Sequence, residues 1–401
     1  MRILIISQYF YPENFRINDL CLGLKEKGHK VTVLTGKPNY PKGNFFSGYS
    51  FFYNSNEEYK GIKVYRSQII PRGDANGFNL FLNYISFVFF GSIKLLFIKE
   101  NFDKIFVYAP SPITVGYIGI LASFKFRVKS YLWVHDLWPE SVKDAGGINN
   151  KLILYLVDLM TRSIYYFYDY ILVQSPGFRD YLLNQKVKNS KIIYYPYYAE
   201  SFYKVVNENK EIKSNFGKDL NIVFAGNIGV AQSFDTIIEA ARVLSKSINN
   251  FRFIIIGDGR DKKRVQKIIS QLSLNDYFKF MGSFPPEEMP PFFASADALL
   301  VTLKDTEIFS MTIPGKLQSY LACGKPIIAS MNGIGATIIR QSNSGFVSDA
   351  EDYESLANII LAFSKLSLQE KNILGKNAKD YYNKEFERSS LLSRLIDIFE
   401  R

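Results

Sequence analysis

The sequence predicts an α/β protein made of two doubly wound, mostly parallel sheets in tandem, and three observations predict it. Short apolar runs alternate with stretches of helical spacing almost from the first residue. The series halts at a polar break and then begins again. A length of 401 residues exceeds one ordinary core, and 47% apolar with 22% charged residues lies in the folded globular range, far from disorder.

The elements follow in order. Arg2 to Ser7 is an unbroken apolar run, Phe15 to Gly28 has helical spacing with Gly28 as its stop, and Lys30 to Thr35 is the next strand, a βαβ opening. Further strands are expected at Ile62 to Ile70, Lys104 to Ala109, Ser130 to His135, Ile171 to Ser175 and Ile192 to Tyr195. The stretch Asn207 to Asp219, rich in Lys, Glu and Asn, separates this series from strands at Asn221 to Ala225, Phe251 to Gly257, Tyr277 to Met281, Ala298 to Leu303 and Pro326 to Ser330. Residues 1–200 and 201–382 are the expected domains. Two such sheets in tandem imply a cleft, with ligands at the carboxyl ends of the strands.

Charge narrows the partners. Residues 1–200 carry 24 basic and 15 acidic side chains, and residues 201–401 carry 25 and 23, so nearly all of the net charge of +11 lies in the first half. That points to an anionic partner for the first domain, a membrane surface or nucleic acid. No nucleic-acid motif appears and the basic residues are dispersed, so nucleic acid is not expected. The apolar segment Phe78 to Ile98 is interrupted by Asn83, Ser86, Gly91, Ser92 and Lys94, which disfavours a transmembrane span and leaves a core helix and a membrane-surface helix open. Cys21 and Cys323 each lie in an apolar helical stretch and read as buried small hydrophobes. With a strand at Met1 to Ser7 and no leader before it, a cytoplasmic protein is expected.

Four constellations carry chemistry. Gly226-Asn227-Ile228-Gly229 lies between a strand and a helix expected near Ser233, where glycines permit close approach and free N–H groups attract phosphate; an ordinary βα turn is the alternative. Pro314-Gly315-Lys316 opens a helix, and a lysine in a first turn opposes the macrodipole unless an anion sits nearby; a solvated lysine is the alternative. His135 lies with Asp136, Glu140 and the two tryptophans, Trp133 and Trp138, just past a central strand, where one group could polarise a sugar and another stack on it; a neutral core histidine is the alternative. Ser7 to Asp19 is aromatic and polar without G-x-G-x-x-G, which suits a carbohydrate acceptor. No Asp-x-Asp, P-loop, C-x-x-C or H-E-x-x-H occurs, so no metal or cofactor is expected.

Together these features resemble the family 4 glycosyltransferases of the GT-B fold over essentially the whole chain. Ser7 to Asp19, Thr35 to Pro41, Asn83 to Phe87 and Asp136 to Ser141 are more narrowly similar to the WbuB type, bacterial O-antigen and capsule enzymes that transfer N-acetyl-L-fucosamine. The resemblance implies a UDP-sugar on the second domain and a lipid-linked (undecaprenyl-diphosphate) saccharide on the first. It also implies a last helix, Phe386 to Phe399 within residues 383–401, crossing back to the first domain. His135 would contact the donor sugar and act with Lys316 in catalysis. Gly226, Asn227, Ile228, Gly229, Met281, Gly282, Ser283, Pro314 and Ser319 would line the donor, and Glu13, Arg16, Asn18, Asp136, Trp138 and Glu140 the acceptor. Two departures stand out: the family's arginine and lysine are Asn227 and Gln232 here, and its glutamate pair falls at Met311 and Ser319. A peripheral enzyme of the inner membrane's anionic surface is the expectation. A catalytically silent scaffold of the same fold, a UDP-sugar epimerase and a phosphorylase are the competing readings.

Overall fold

Alternation of side chains along buried strands explains the two sheets. The computed structural model describes residues 1–53, 56–144, 148–217 and 220–401. The first unit comprises Met1–Pro196 and Leu392–Arg401, and the second Tyr197–Leu391. Leu392 lies inside the last helix, Arg388–Glu400, so the chain returns to the first unit later than the expected 383. There Phe399 packs its ring 5.8 Å from Phe106 and 4.9 Å from Tyr131.

The first sheet holds β1 (Arg2–Ser7), β2 (Lys30–Gly36), β3 (Asn56–Tyr59), β4 (Ile62–Ser67), β5 (Lys104–Ala109), β6 (Ser130–Val134), β7 (Tyr170–Val173) and β8 (Ile192–Tyr194), in the order β3-β4-β2-β1-β5-β6-β7-β8. All pairings are parallel except β3 on β4, an antiparallel edge that the sequence reading missed because Asn-Glu-Glu-Tyr carries no apolar run. The second sheet holds β9 (Leu220–Ala225), β10 (Phe251–Ile256), β11 (Phe278–Gly282), β12 (Ala298–Thr302), β13 (Ile327–Ser330) and β14 (Gly345–Ser348), in the order β11-β10-β9-β12-β13-β14. Period-two alternation divides its residues between two cores: Val223, Ile254, Ile256 and Leu299 face one, Ile222, Phe224, Phe253 and Ile255 the other. The polar stretch read as an interdomain break lies in the second unit, where Asn209 caps a helix, Lys210–Phe216, that buries Phe216; Asp219 lies outside the described residues.

The helix Gly77–Leu96 reverses the usual amphipathic order. It packs on β2 and β4 with Asn83, Ser86, Phe87, Gly91 and Leu95 buried, while Phe78, Phe81, Ile85, Phe89 and Ile93 face out. The polar breaks are its attachment. Asn83 accepts from Gln8 Nε2 at 2.7 Å and donates to the Ile70 carbonyl at 2.6 Å, and Ser86 accepts the Ile70 N–H at 2.8 Å. Buried polar groups that bond only to one another leave orphans when one is removed. Asn83→Ala is therefore expected to destabilise by about 2–3 kcal/mol, while Phe81→Ser on the outer face changes stability by less than about 0.5 kcal/mol. Urea midpoints of the two variants check this, and equal effects would contradict the inverted orientation.

Candidate functional site

In the second unit three loops at strand ends are laced together. Gly226 N–H donates to the Ile256 carbonyl at 2.9 Å, Ile228 N–H to the Asp258 carbonyl at 2.8 Å, and Gly257 N–H to the Gly282 carbonyl at 2.7 Å. Gly257 has φ +138° and a Cβ there would stand 1.9 Å from the Gly226 carbonyl oxygen, so only glycine allows this approach. The lacing corrects the expected phosphate grip in two ways. Two of the four N–H groups of Gly226 to Gly229 are already spent, leaving those of Asn227 and Gly229 without an acceptor among the described residues. The loop is also no helix start. A 3₁₀ turn, Val230–Gln232, and a left-handed Ser233 at φ +44° intervene before the helix Phe234–Leu244. Ile228 is buried and holds the loop down, while Gly226 and Asn227 are exposed.

Lys316 stands beside this loop. It lies in the first turn of Gly315–Ala322, capped by Pro314, and a Cβ on Gly226 would meet its ammonium at 3.3 Å. Its Nζ donates to Gln232 Oε1 at 2.7 Å and sits 3.7 Å over the ring of Phe224. Among the described residues no carboxylate pairs with it. Burial pushes its pKa down to about 7. The sequence reading missed two groups that set this geometry, Phe224 and Tyr320, whose hydroxyl accepts the Ala225 N–H at 2.9 Å and seats the helix against the end of β9. Ser319 lies one turn beyond Lys316 and is 4% exposed. Met281, Gly282 and Ser283 close the neighbouring strand end and join the loops through Gly257.

In the first unit His135 follows β6, with its N–H on the Ala109 carbonyl at 3.1 Å and its own carbonyl accepting from Gln174 Nε2 at 3.0 Å. The ring packs 4.2 Å from Trp133 and 4.7 Å from Tyr108, and burial, aided by Arg16, holds its pKa well below the ordinary value. Asp136 is pushed up to about 7 by burial against a hydrogen bond with Ser111. Trp133 is core, its Nε1 donating to the Tyr195 carbonyl at 3.0 Å, so it is not available to stack on a sugar; Trp138, 9% exposed, lies at the same strand end. Glu140 opens the next helix and accepts from the Tyr181 hydroxyl.

Two expected acceptor contacts are structural instead. Glu13 is 2% exposed and accepts the N–H groups of Asn39 at 2.9 Å, Tyr40 at 2.8 Å and Phe10 at 3.3 Å, its pKa pushed up to about 7 by burial. Asn18 accepts the Tyr11 N–H at 3.0 Å and donates to the Glu13 carbonyl at 2.8 Å. Both brace the turn after β1. Among the described residues no group of three or more His, Cys, Asp or Glu is placed to hold a metal, and both cysteines are buried and free.

This arrangement of two Rossmann-like units defines a GT-B protein, and comparison with known proteins agrees. Residues 15–196 match the Glycosyltransferase Family 4 domain and residues 205–381 the Glycosyl transferases group 1 domain. Between them the two matches span both units, and the chain belongs to the family 4, group 1 glycosyltransferases. It is 26% identical over 418 residues to the glycosyltransferase MJ1069 of Methanocaldococcus jannaschii, covering 100% of this chain and 98% of that one. It is 24% identical over 340 residues to the putative colanic acid biosynthesis glycosyl transferase WcaI of Escherichia coli, covering 81% and 82%. A solved structure of Anabaena Alr3699/HepE in complex with UDP superposes with a TM-score of 0.68 at 15% identity, covering 100% of each chain.

The lowered pKa of Lys316 fixes the sign of a pH effect. Between pH about 7 and its ordinary value the unfolded lysine holds a proton that the folded one has lost, so stability rises with pH through that window and is flat below it. Without ligand, the stability of the parent relative to Lys316→Met is expected to climb from pH 7 to 9.5 in urea melts. A difference that does not change with pH would contradict the burial of the ammonium.

Proposed function

We propose that the chain transfers a sugar from a UDP-linked donor held by the second unit to a lipid-linked saccharide held by the first, in the making of a bacterial surface polysaccharide such as O-antigen or capsule. The observation that carries this reading is the ammonium of Lys316, paired with no carboxylate among the described residues, beside the exposed backbone of Gly226 and Asn227. Negative charge grows on the departing diphosphate as the anomeric bond breaks, and a cation already withheld from water stabilises that charge more than water would. The N–H groups of Asn227 and Gly229 lie on the same loop. The UDP complex of the Anabaena neighbour supports a uridine nucleotide, and the colanic acid relative supports a polysaccharide pathway. N-acetyl-L-fucosamine follows from the WbuB-type resemblance alone. Transfer proceeds with retention and without a metal or covalent intermediate, His135 orienting the sugar as a neutral ring. The unbalanced charge at Lys316 argues for catalysis over a silent scaffold, which would gain nothing from it.

The acceptor's lipid implies a membrane surface. Three helices lie side by side in the first unit, Gly77–Leu96, Gly116–Phe126 and Lys151–Phe167, with Phe124 and Phe167 in ring contact at 6.3 Å. Their outward side chains include Phe78, Phe81, Phe89, Leu121, Phe124, Leu152, Leu156 and Tyr166. Exposed Lys99, Lys125, Arg127 and Lys151 stand at their ends, a pattern suited to the anionic cytoplasmic face of the inner membrane.

Two outcomes test the reading. Lys316→Ala is expected to lower kcat/KM for transfer by about 2–4 kcal/mol, roughly 30- to 1000-fold. UDP binding above pH about 7 should take up close to one proton in the parent and none in the variant, because the diphosphate restores the charge that Lys316 has lost. Calorimetry in buffers of different ionisation enthalpy reads this, and unaltered turnover in the variant refutes the assignment. At the membrane, the protein should sediment with vesicles containing anionic lipid at low salt and leave them as salt rises. Indifference to such vesicles defeats the surface assignment.

A further inference from the structure

Two arginines at the strand ends of the first unit differ in one respect. Arg66 is fully engaged: its guanidinium donates to Glu57, to the Gly36 carbonyl at 3.0 Å and to the Tyr11 carbonyl. Arg72 has nothing of the kind. Its Nε and Nη1 are covered from solvent and meet no acceptor among the described residues, and no carboxylate pairs with it, although the side chain as a whole is half-buried. A guanidinium is charged at every accessible pH, so covered N–H groups without an acceptor among the described residues are suited to receive an anion.

The surroundings are built to hold Arg72 in place. Its backbone N–H donates to Asn39 Oδ1 at 3.1 Å, within the network that runs through Asn83, Gln8 and the Ile70 carbonyl. Its guanidinium stacks 4.9 Å over the ring of Tyr40, and Tyr9 and Tyr84 lie within its electrostatic reach. Tyr84 lies 6.3 Å from the ring of Trp138, whose covered Nε1 also lacks an acceptor among the described residues. Arg72 and Trp138 thus each present covered donors without an acceptor among the described residues close to Tyr84, whose hydroxyl hydrogen-bonds with Ser111 and Tyr9. We infer that Arg72, with Tyr84 and Trp138, forms an oxyanion site for a phosphate of the acceptor. A tetrahedral phosphate accepts from several directions at once, which suits a fork, a phenol and an indole better than a planar carboxylate does. This rests on the reading that the first unit holds the acceptor. The phosphate can belong to an isoprenoid diphosphate or to a soluble sugar phosphate.

The full-length protein, with UDP held at saturation, is titrated calorimetrically with inorganic pyrophosphate, geranyl diphosphate and glucose 6-phosphate. Arg72→Met is expected to weaken binding at least about tenfold, Arg72→Lys less, and Tyr84→Phe and Trp138→Phe each by about three- to tenfold. Tighter geranyl diphosphate marks a lipid-linked source and tighter glucose 6-phosphate a soluble one. Binding that falls with Lys316→Met but not with Arg72→Met overturns the inference. Should Arg72→Met fail to fold, the two single-donor variants decide, and pyrophosphate binding untouched by both overturns it as well. If UDP does not bind yet pyrophosphate still depends on Arg72, the oxyanion site stands and the donor reading falls.

Discussion

The ammonium of Lys316 is largely screened from water, no carboxylate among the described residues balances it, and the strand ends of the second unit pack around it. A buried cation of this kind is costly, and the protein lessens the cost with a ring face and one amide oxygen, from Phe224 and Gln232, in place of an acid. An acid would have fixed the charge permanently. With a pKa of about 7 the lysine is poised between charged and neutral forms, so an arriving anion gains the interaction that no protein group supplies. Gly226 belongs to the same constraint, because a side chain there would press on the ammonium and cover the loop.

Three buried polar side chains of the first unit, Glu13, Arg66 and Asn83, are handled in the opposite way, by pairing. Glu13 collects three backbone N–H groups, Arg66 finds an acid and two carbonyls, and Asn83 links β1's exit to the chain after β4. Such a network ties several strand ends into one rigid platform, since losing any member strands its partners. It also frees the outer face of the Gly77–Leu96 helix from any share in folding, and that face is where the large apolar side chains stand.

The sheets were legible because their strands are buried on both faces and therefore read as unbroken apolar runs; β14 was not, because Gly345-Phe346-Val347-Ser348 is short and only partly covered. Lys316 stands out in the sequence because a lysine in a first helical turn breaks a local electrostatic rule, and the structure places it beside the Gly226 loop. Glu13 and Asn18 were misread for an equally physical reason. Polar side chains after a strand look the same in sequence whether they meet a ligand or the backbone, and only the folded turn shows that Asn39 and Tyr11 take them. Arg72 left no periodic trace at all. What distinguishes it from Arg66 is that its Nε and Nη1 meet no acceptor among the described residues, which no single sequence expresses.

Both candidate sites stand on strand ends and draw little from helix dipoles. The loop Gly226 to Gly229 is set off from its helix by a 3₁₀ turn and a left-handed residue, so the attraction for an anion comes from one ammonium and two nearby N–H groups. Such forces act over one or two ångströms of fit, unlike a long-range field, and their strength depends on how firmly the donors are held. The hydrogen bonds from Gly257 to Gly282 and from Ala225 to Tyr320 therefore matter as much as the charge itself. They fix the loop and the lysine to the same strand end, and a lysine free to reach water would be an ordinary, fully protonated surface group whose attraction for a growing negative charge is weakened by the solvent.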